Sequence, residues 1–474
     1  MQPLNRTTAQ ITQTRPTKVV QFGEGNFLRG FVDWIIDILN EKTDFNGAVT
    51  VIQPQNKDKY KLLNQQDGLF HVLLEGMQEG RNVQETRLIS CVSNALSPYT
   101  SYPDYLALGE NPDLEFIFSN TTEAGIAFEP SDVTPDTTPV SFPGKLTALL
   151  YRRFTHFKGA KDKALTIIPC ELIEKNGEKL RDIVLQYASL WNLPAPFADW
   201  IEQDTIFCNT LVDRIVPGFP HDTYAHIQQE LGFEDKLLVK AEPFHLLVIE
   251  APASVAKAFP AAQTGLQVKF VEDLTPYRTS KVRILNGAHT TLVPVAYLQG
   301  LRTVREAVED EKTGQFIREA ILEEIIPTLD LPAQELTQFA QDVIDRFRNP
   351  FIRHELLSIA LNSVSKYKVR VLPSVLEYHA RNGRLPQRLL HALAALILFY
   401  RGEYNGEQIP LNDTPEVLAF FQTAWQKNSP EETVQAVLAN QEFWEQDLTQ
   451  VPNLEATVAQ QLTLLLEQEQ VRAS

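Results

Sequence analysis

Lys18-Val-Val-Gln-Phe22 is a β-rich apolar run that meets Gly23-Glu24-Gly25 and then a helical pattern from Phe27 to Leu39. A second β-rich run, Ala48-Val-Thr-Val-Ile52, follows. Strand, glycine turn, helix and strand in that order make a βαβ unit, the building block of a parallel sheet. The glycines permit a tight turn and let a pyrophosphate approach the backbone. The free N–H groups and positive dipole end of the following helix then hold the phosphates. The run departs from the usual dinucleotide fingerprint, because Leu28 stands at the third glycine position and Gly30 follows two residues later. An ordinary glycine turn is the competing reading, and the strand–turn–helix placement favours dinucleotide binding.

The same alternation continues. Leu69–Leu74, Thr86–Val92, Glu115–Ser119 and Leu165–Ile168 read as strands, with a helix from about Gly144 to Phe154. Near residue 270 the pattern changes to helical periodicity: Phe316–Ile325, Glu335–Phe347, Leu356–Val371, Arg388–Tyr400, Val417–Gln426 and Ala456–Leu466. Breaks such as Asn349-Pro350 and Leu372-Pro373 separate these helices. The expectation is an α/β N-terminal Rossmann-type dinucleotide-binding domain over residues 1–270 and a mainly α-helical catalytic and substrate domain over 271–474. The junction of two such domains is where a ligand cleft is expected.

Composition narrows the function classes. A formal net charge of -17 argues against a nucleic-acid surface, yet allows an anionic substrate where basic residues concentrate locally. The three cysteines, Cys91, Cys170 and Cys208, are far apart, which excludes a disulfide framework and gives no metal-ligand spacing. The apolar run Leu389–Tyr400 is too short for a membrane span, and the N-terminus carries no apolar signal region. A cytoplasmic protein without metal, membrane or nucleic-acid partners is expected.

The sharpest chemical signal is Thr275-Pro276-Tyr277-Arg278-Thr279-Ser280-Lys281-Val282-Arg283-Ile284-Leu285-Asn286-Gly287-Ala288-His289. Thr275 and Pro276 suit a helix start. At about 100° per residue, Lys281, Asn286 and His289 fall within an arc of roughly 140°. Hydride transfer between an alcohol and a ketone needs a base for the hydroxyl proton and donors for the developing alkoxide. Lys281 serves as that base if burial or nearby charge, from Arg278, Arg283 or an oxidised nicotinamide, lowers its pKa. Asn286 can donate to the oxyanion and His289 can orient the substrate hydroxyl. Taken singly, each residue has a plainer reading: a surface lysine, a helix-breaking Asn-Gly, a satisfied core histidine.

The Lys281-x4-Asn286-x2-His289 pattern resembles the signature of the polyol-specific long-chain dehydrogenases, the mannitol dehydrogenase family. The resemblance runs along nearly the whole chain and implies NAD as cofactor, no metal, and roles for further residues. Phe22, Gly23, Glu24, Gly25, Asn26 and Phe27 resemble the cofactor loop, and Asn120, Thr121, Thr122 and Glu123 the segment near the nicotinamide ribose. Asn176 matches a second oxyanion asparagine, and Asp213 a functional aspartate of the substrate site. The acid usual after the second strand is absent. Gln53 stands there as a neutral partner for a ribose hydroxyl, with Lys57 and Lys59 beyond, so the residues leave NAD and NADP open. Arg278 replaces an acid common in the mannitol enzymes, so their proton relay is not carried over.

Within that family, Gln21–Arg29, Phe118–Ile126, Ile168–Ile173, Leu285–His289 and Arg346–Pro350 are similar to the branch that interconverts altronate and tagaturonate. Members acting on fructuronate, mannitol or arabinitol are the alternatives, and a non-catalytic dinucleotide sensor is a third. A sensor would be expected to have lost part of the Lys–Asn–His set, which is complete here. His354, Ser358, Asn362, Lys366 and Arg370 recur at i+4 and read as a polar stripe on one helix. The family draws substrate contacts from this region, so Lys366, Arg370 and His354 are expected to bind the substrate, Lys366 or Arg370 pairing with its carboxylate.

Overall fold

The computed structural model describes residues 1–473. The chain forms two compact units: Met1–Glu75 with Asn82–Leu274, and Gly76–Arg81 with the chain from Thr275 onward.

The first unit is built on a six-stranded sheet of β1 (Thr17–Phe22), β2 (Ala48–Ile52), β3 (Val92–Leu96), β4 (Phe116–Ser119), β5 (Thr166–Pro169) and β6 (Ile206–Phe207). Its order is β3-β2-β1-β4-β5-β6 and every neighbouring pair is parallel. This is the doubly wound dinucleotide-binding order, which reverses between β1 and β4 and opens a crevice at the strands' carboxyl ends. All five residues of β2 are buried, as a strand covered on both faces requires. The helical run after β1 inserts Leu28, Phe31, Ile35 and Leu39 beneath the sheet. Each such side chain contributes roughly 1.5–3 kcal/mol on full burial. The run winds as Asn26–Leu28, a π turn over Arg29–Asp33, and Trp34–Lys42.

The segment expected as one strand over Thr86–Val92 is two. The strand Arg81–Ile89 pairs with Phe70–Gln78, which also pairs with Val239–Ala241, whereas Val92 begins β3 of the main sheet. Asp37 fixes the corner between them, its Oδ1 accepting the Ser90 backbone N–H at 2.9 Å and the Ser90 hydroxyl at 3.2 Å. A further three-stranded sheet joins Asn209–Asp213, Leu246–Glu250 and Val268–Val271.

From Thr275 onward the second unit is helical apart from a short hairpin of Glu403–Tyr404 and Glu407–Gln408. Gln387–Phe399 is apolar almost all round and is the buried centre, packed against Gly287–Leu298 and Leu454–Ala473. Glu324 receives its first backbone N–H groups, from Arg388 and Leu389, at 2.9–3.1 Å. Among the described residues no helix is long and apolar enough to cross a membrane.

Candidate active site

In the first unit, Gly23 leaves β1 with φ +127°, a conformation that side chains resist, and its N–H donates to Ile52 O at 2.9 Å. A Cβ there would meet the carbonyl oxygen of Asn120 at 3.1 Å, so the turn and the end of β4 approach backbone to backbone. Gly25 faces open space, which leaves its peptide reachable by a phosphate at the start of the helical run. The loop is pinned from below by Arg29, a buried guanidinium that donates to Glu24 O at 3.2 Å, Asn26 Oδ1 at 2.8 Å and Leu237 O. Burial lowers its pKa to about 10, opposed by the nearby Asp235, Asp33 and Glu24 carboxylates. Sequence reasoning gave Arg29 no role, although a basic residue just inside a phosphate loop was the available signal.

Two cofactor expectations change. The Phe22 side chain belongs to the core, its ring lying 4.9 Å from Phe142 and 6.2 Å from Tyr105, so only its backbone borders the loop. Gln53 is fully buried and its carboxamide is consumed locally: Nε2 donates to Gln55 O and Lys57 O, and Oε1 accepts the Tyr60 N–H. It shapes the loop that follows β2 and presents nothing to a ribose. Lys57 and Lys59 are exposed on that loop. Phe27 is half-buried against Phe31 at 5.0 Å, and Glu24 is half-buried.

Asn120, Thr122 and Glu123 line a cavity of about 390 Å³ with Ala124, Glu171 and Leu172 at the carboxyl ends of β4 and β5. Thr121 lines a neighbouring cavity of about 250 Å³ that reaches Pro54 and Gln55 beyond β2. These openings flank the reversal of strand order, where a dinucleotide binds in such sheets.

Asn176, expected as a second oxyanion donor, is engaged inside the fold. It is completely buried, and Nδ2 donates to Pro169 O, Glu171 O and Thr210 Oγ1 at 3.0–3.1 Å. Its Oδ1 accepts the N–H groups of Gly177 and Thr210, each at 2.9 Å. With every polar atom engaged, Asn176 ties β5 to the strand Asn209–Asp213. Asp213 ends that strand and is buried.

In the second unit, Lys281, Asn286 and His289 lie on one helical run: Thr275–Ser280, a π turn over Lys281–Asn286, and Gly287–Leu298. A π turn bonds residues five apart, which brings Lys281 and Asn286 closer to one face than α spacing does. His289, three residues on, shares the face of Asn286 in the α turn. Lys281, Asn286 and His289 are each half-buried. Arg278 is half-buried one turn earlier, and Arg283 donates to Ser374 Oγ at 3.1 Å.

His289 stacks on Phe347 with ring centroids 4.2 Å apart and meets His354 edge-on at 5.1 Å. Its Nε2 is buried without a hydrogen-bond partner. Burial pushes its pKa well below the ordinary histidine range, reinforced by the His354 imidazole and by the positive Arg346, Arg370 and Lys366. The imidazole is therefore neutral, and basic side chains gather around it.

That gathering does not come from a continuous helical stripe. The chain breaks between Leu356–Ile359 and Ser363–Arg370, and Asn362 takes a left-handed φ of +52°. Ser358 and Asn362 fall out of the stripe: the Ser358 hydroxyl is exposed and caps Glu355 O at 2.7 Å, and Asn362 sits in the break. The break lets Lys366 Nζ reach back to Ile359 O at 2.7 Å. Burial lowers the pKa of both Lys366 and Arg370, Lys366 also feeling Arg370. Arg346, on the helix Ala333–Phe347, joins them although sequence reasoning assigned it no role.

Residues 17–262 match the mannitol dehydrogenase Rossmann domain and residues 273–466 the mannitol dehydrogenase C-terminal domain. The chain belongs to the mannitol dehydrogenase family. Among curated members it is 50% identical to an altronate oxidoreductase of Cronobacter sakazakii over 459 residues, 96% of this chain and 95% of that one. It is 49% identical to an altronate oxidoreductase of Yersinia enterocolitica over 473 residues, 98% of each chain. The fold is shared with a D-sorbitol dehydrogenase in substrate-free form at a TM-score of 0.81 and 22% identity, covering 98% of this chain and 99% of that one. It is also shared with Pseudomonas fluorescens mannitol 2-dehydrogenase, solved with NAD and D-mannitol, at 0.62 and 22%, covering 100% and 98%.

Proposed function

We propose that this chain is an NAD(H)-dependent oxidoreductase that interconverts D-altronate and D-tagaturonate in hexuronate catabolism, in the cytoplasm. Two chains half identical to it over nearly its full length carry the name altronate oxidoreductase. The observation in this chain that carries the reading is the group of Lys366, Arg370 and His354 around His289. A sugar acid brings a carboxylate that Lys366 or Arg370 can bind, which a neutral polyol lacks. The residues of the first unit suit a dinucleotide: an open glycine at the head of a helical run, Arg29 beneath it, and cavities at the switch point.

Bound NAD(H) supplies or accepts the hydride. In the reductive direction the keto carbon gains that hydride, its oxygen takes a proton from the Lys281 ammonium, and an alcohol results. Tagaturonate, NADH and a proton thus become altronate and NAD+. Asn286 donates a hydrogen bond to the oxygen as negative charge develops on it. His289, held neutral, orients a substrate hydroxyl without placing another fixed charge beside Lys281. Lys366 and Arg370 hold the carboxylate at the other end of the substrate, with His354 and Asp213 as further substrate contacts. Lys281 and Asn286 manage the developing charge without a metal, so chelators are expected to leave the rate unchanged.

The test is a panel of tagaturonate, fructuronate and fructose, each with NADH and with NADPH, followed by nicotinamide absorbance. Highest kcat/KM is expected for tagaturonate with NADH. A higher value on fructuronate or on fructose overturns the substrate assignment.

A further inference from the structure

Thr122 follows β4 with φ +78° and ψ 165°, a region that a β-branched residue occupies only when its surroundings hold it there. The residues just before Thr122 are bonded to Glu171. This carboxylate is 2% exposed and accepts the Thr121 backbone N–H at 2.9 Å, the Thr121 hydroxyl at 3.0 Å and the Ser119 hydroxyl at 2.9 Å. The clasp is doubled beside it, where Asn120 Nδ2 donates to Cys170 O at 2.8 Å and Cys170 N–H to Ser119 O at 2.7 Å. On its other side the turn abuts the phosphate loop through the close approach of Asn120 O to Gly23. Asn120, Thr122 and Glu171 all line the cavity at the point where strand order reverses.

We propose that Glu171 is a positioning residue for the cofactor: its carboxylate clamps the Ser119–Thr121 backbone and keeps Thr122 strained, so that the turn is preformed for the dinucleotide. Burial raises the Glu171 pKa, and the donors from Thr121 and Ser119 oppose that rise, so the clamp offsets part of the cost of its own burial. A turn freed from the clamp relaxes at Thr122, and each binding event then has to reorder it. The proposal rests on the reading of the chain as an NAD(H) enzyme.

The test measures NADH binding directly, by fluorescence titration of the full chain without sugar. Glu171→Ala is expected to raise the NADH dissociation constant by about tenfold or more, the scale of lost hydrogen bonds to a charged group. At saturating NADH, the KM for tagaturonate is expected to stay within about twofold of wild type, since the substrate groups lie on other elements. Glu171→Gln keeps an acceptor for Thr121 and should recover most of the affinity. Thr122→Gly removes the strain, so Glu171→Ala should cost measurably less in that background, a coupling that a purely structural role would not show. Thr121→Val, which deletes one clamp donor and preserves shape, covers the case of an unfolded Glu171→Ala and should weaken NADH about fivefold. Unchanged NADH affinity in folded Glu171→Ala or in Thr121→Val overturns the proposal, as does additive behaviour with Thr122→Gly. Wild-type protein that binds no NADH overturns this proposal together with the cofactor reading. Wild-type protein that binds NADH but ignores tagaturonate overturns only the substrate reading.

Discussion

Replacing Lys366 by Met keeps the length of the side chain and removes its charge and its donors. Lys366 is half-buried, and burial and Arg370 lower its pKa more than the nearby Asp413 carboxylate raises it, so a substrate carboxylate would find it under-compensated. Losing a charge-assisted contact costs about 1.5–3 kcal/mol, or about 10- to 150-fold in kcat/KM at roughly 1.4 kcal/mol per decade. Arg370 remains near His289 and still attracts the carboxylate, which places the expected loss on tagaturonate at the lower end, about 10- to 30-fold. The substitution also strips a donor from Ile359 O, a structural cost that every substrate shares. The assay is therefore a ratio: kcat/KM on tagaturonate over kcat/KM on fructose, for wild type and Lys366→Met. The ratio should fall by most of the loss. An equal fall on both substrates, or none on either, refutes the carboxylate-anchor argument, and Arg370→Met then takes the same test.

Lys281→Ala should lower turnover by about 10²–10⁴-fold with NADH affinity nearly unchanged, and a near wild-type pH–rate profile would reject Lys281 as the base. Asn286→Ala should lower kcat by roughly 10²–10³-fold; a change confined to KM would make it a binding group only. Asn176→Ala should act on the fold, costing about 1–3 kcal/mol or more in denaturant unfolding because several buried partners lose their bonds, and unaltered stability with lost turnover would restore it as an oxyanion donor. Burial pushes the Asp33 carboxyl up to about 7 beneath the cofactor loop, opposed by its bond from Gln21. A raised carboxyl contributes stability at low pH that is lost as pH rises toward its folded pKa. Asp33→Asn should therefore gain on wild type in urea midpoint between about pH 4 and 7, by at most about 1.4 kcal/mol per pH unit; a flat difference would contradict the shift.

Strand periodicity in the first 270 residues and helical periodicity beyond them carried the fold, because each element buries a face whose spacing is local. Failures came where a distant side chain intervenes. Thr86–Val92 alternates as one strand, yet Asp37 turns the chain at Ser90. His354 to Arg370 keeps i+4 spacing straight across a left-handed Asn362, so periodicity alone conceals the break that points Lys366 back toward Ile359. In the candidate site, residue types were legible but their commitments were not. Gln53 and Asn176 have the right chemistry in the right region, and both spend it inside the fold. Glu171 and Arg346 lie in stretches that carry the resemblance, yet their roles are not legible there because their meaning lies in what surrounds them, a strained threonine in one case and a neutral histidine in the other.

The central claim is hydride transfer to the keto carbon of a sugar acid, and isotope tracing tests it most directly. Purified protein is given tagaturonate and NADH deuterated at the transferring position of the nicotinamide, and the product is read by NMR. The account predicts D-altronate carrying deuterium on the carbon that bore the ketone, formed one for one with NAD+ and formed about 10²–10⁴-fold more slowly in Lys281→Ala. NADH oxidation without deuterium in the product, or deuterium in a different sugar acid, would contradict it.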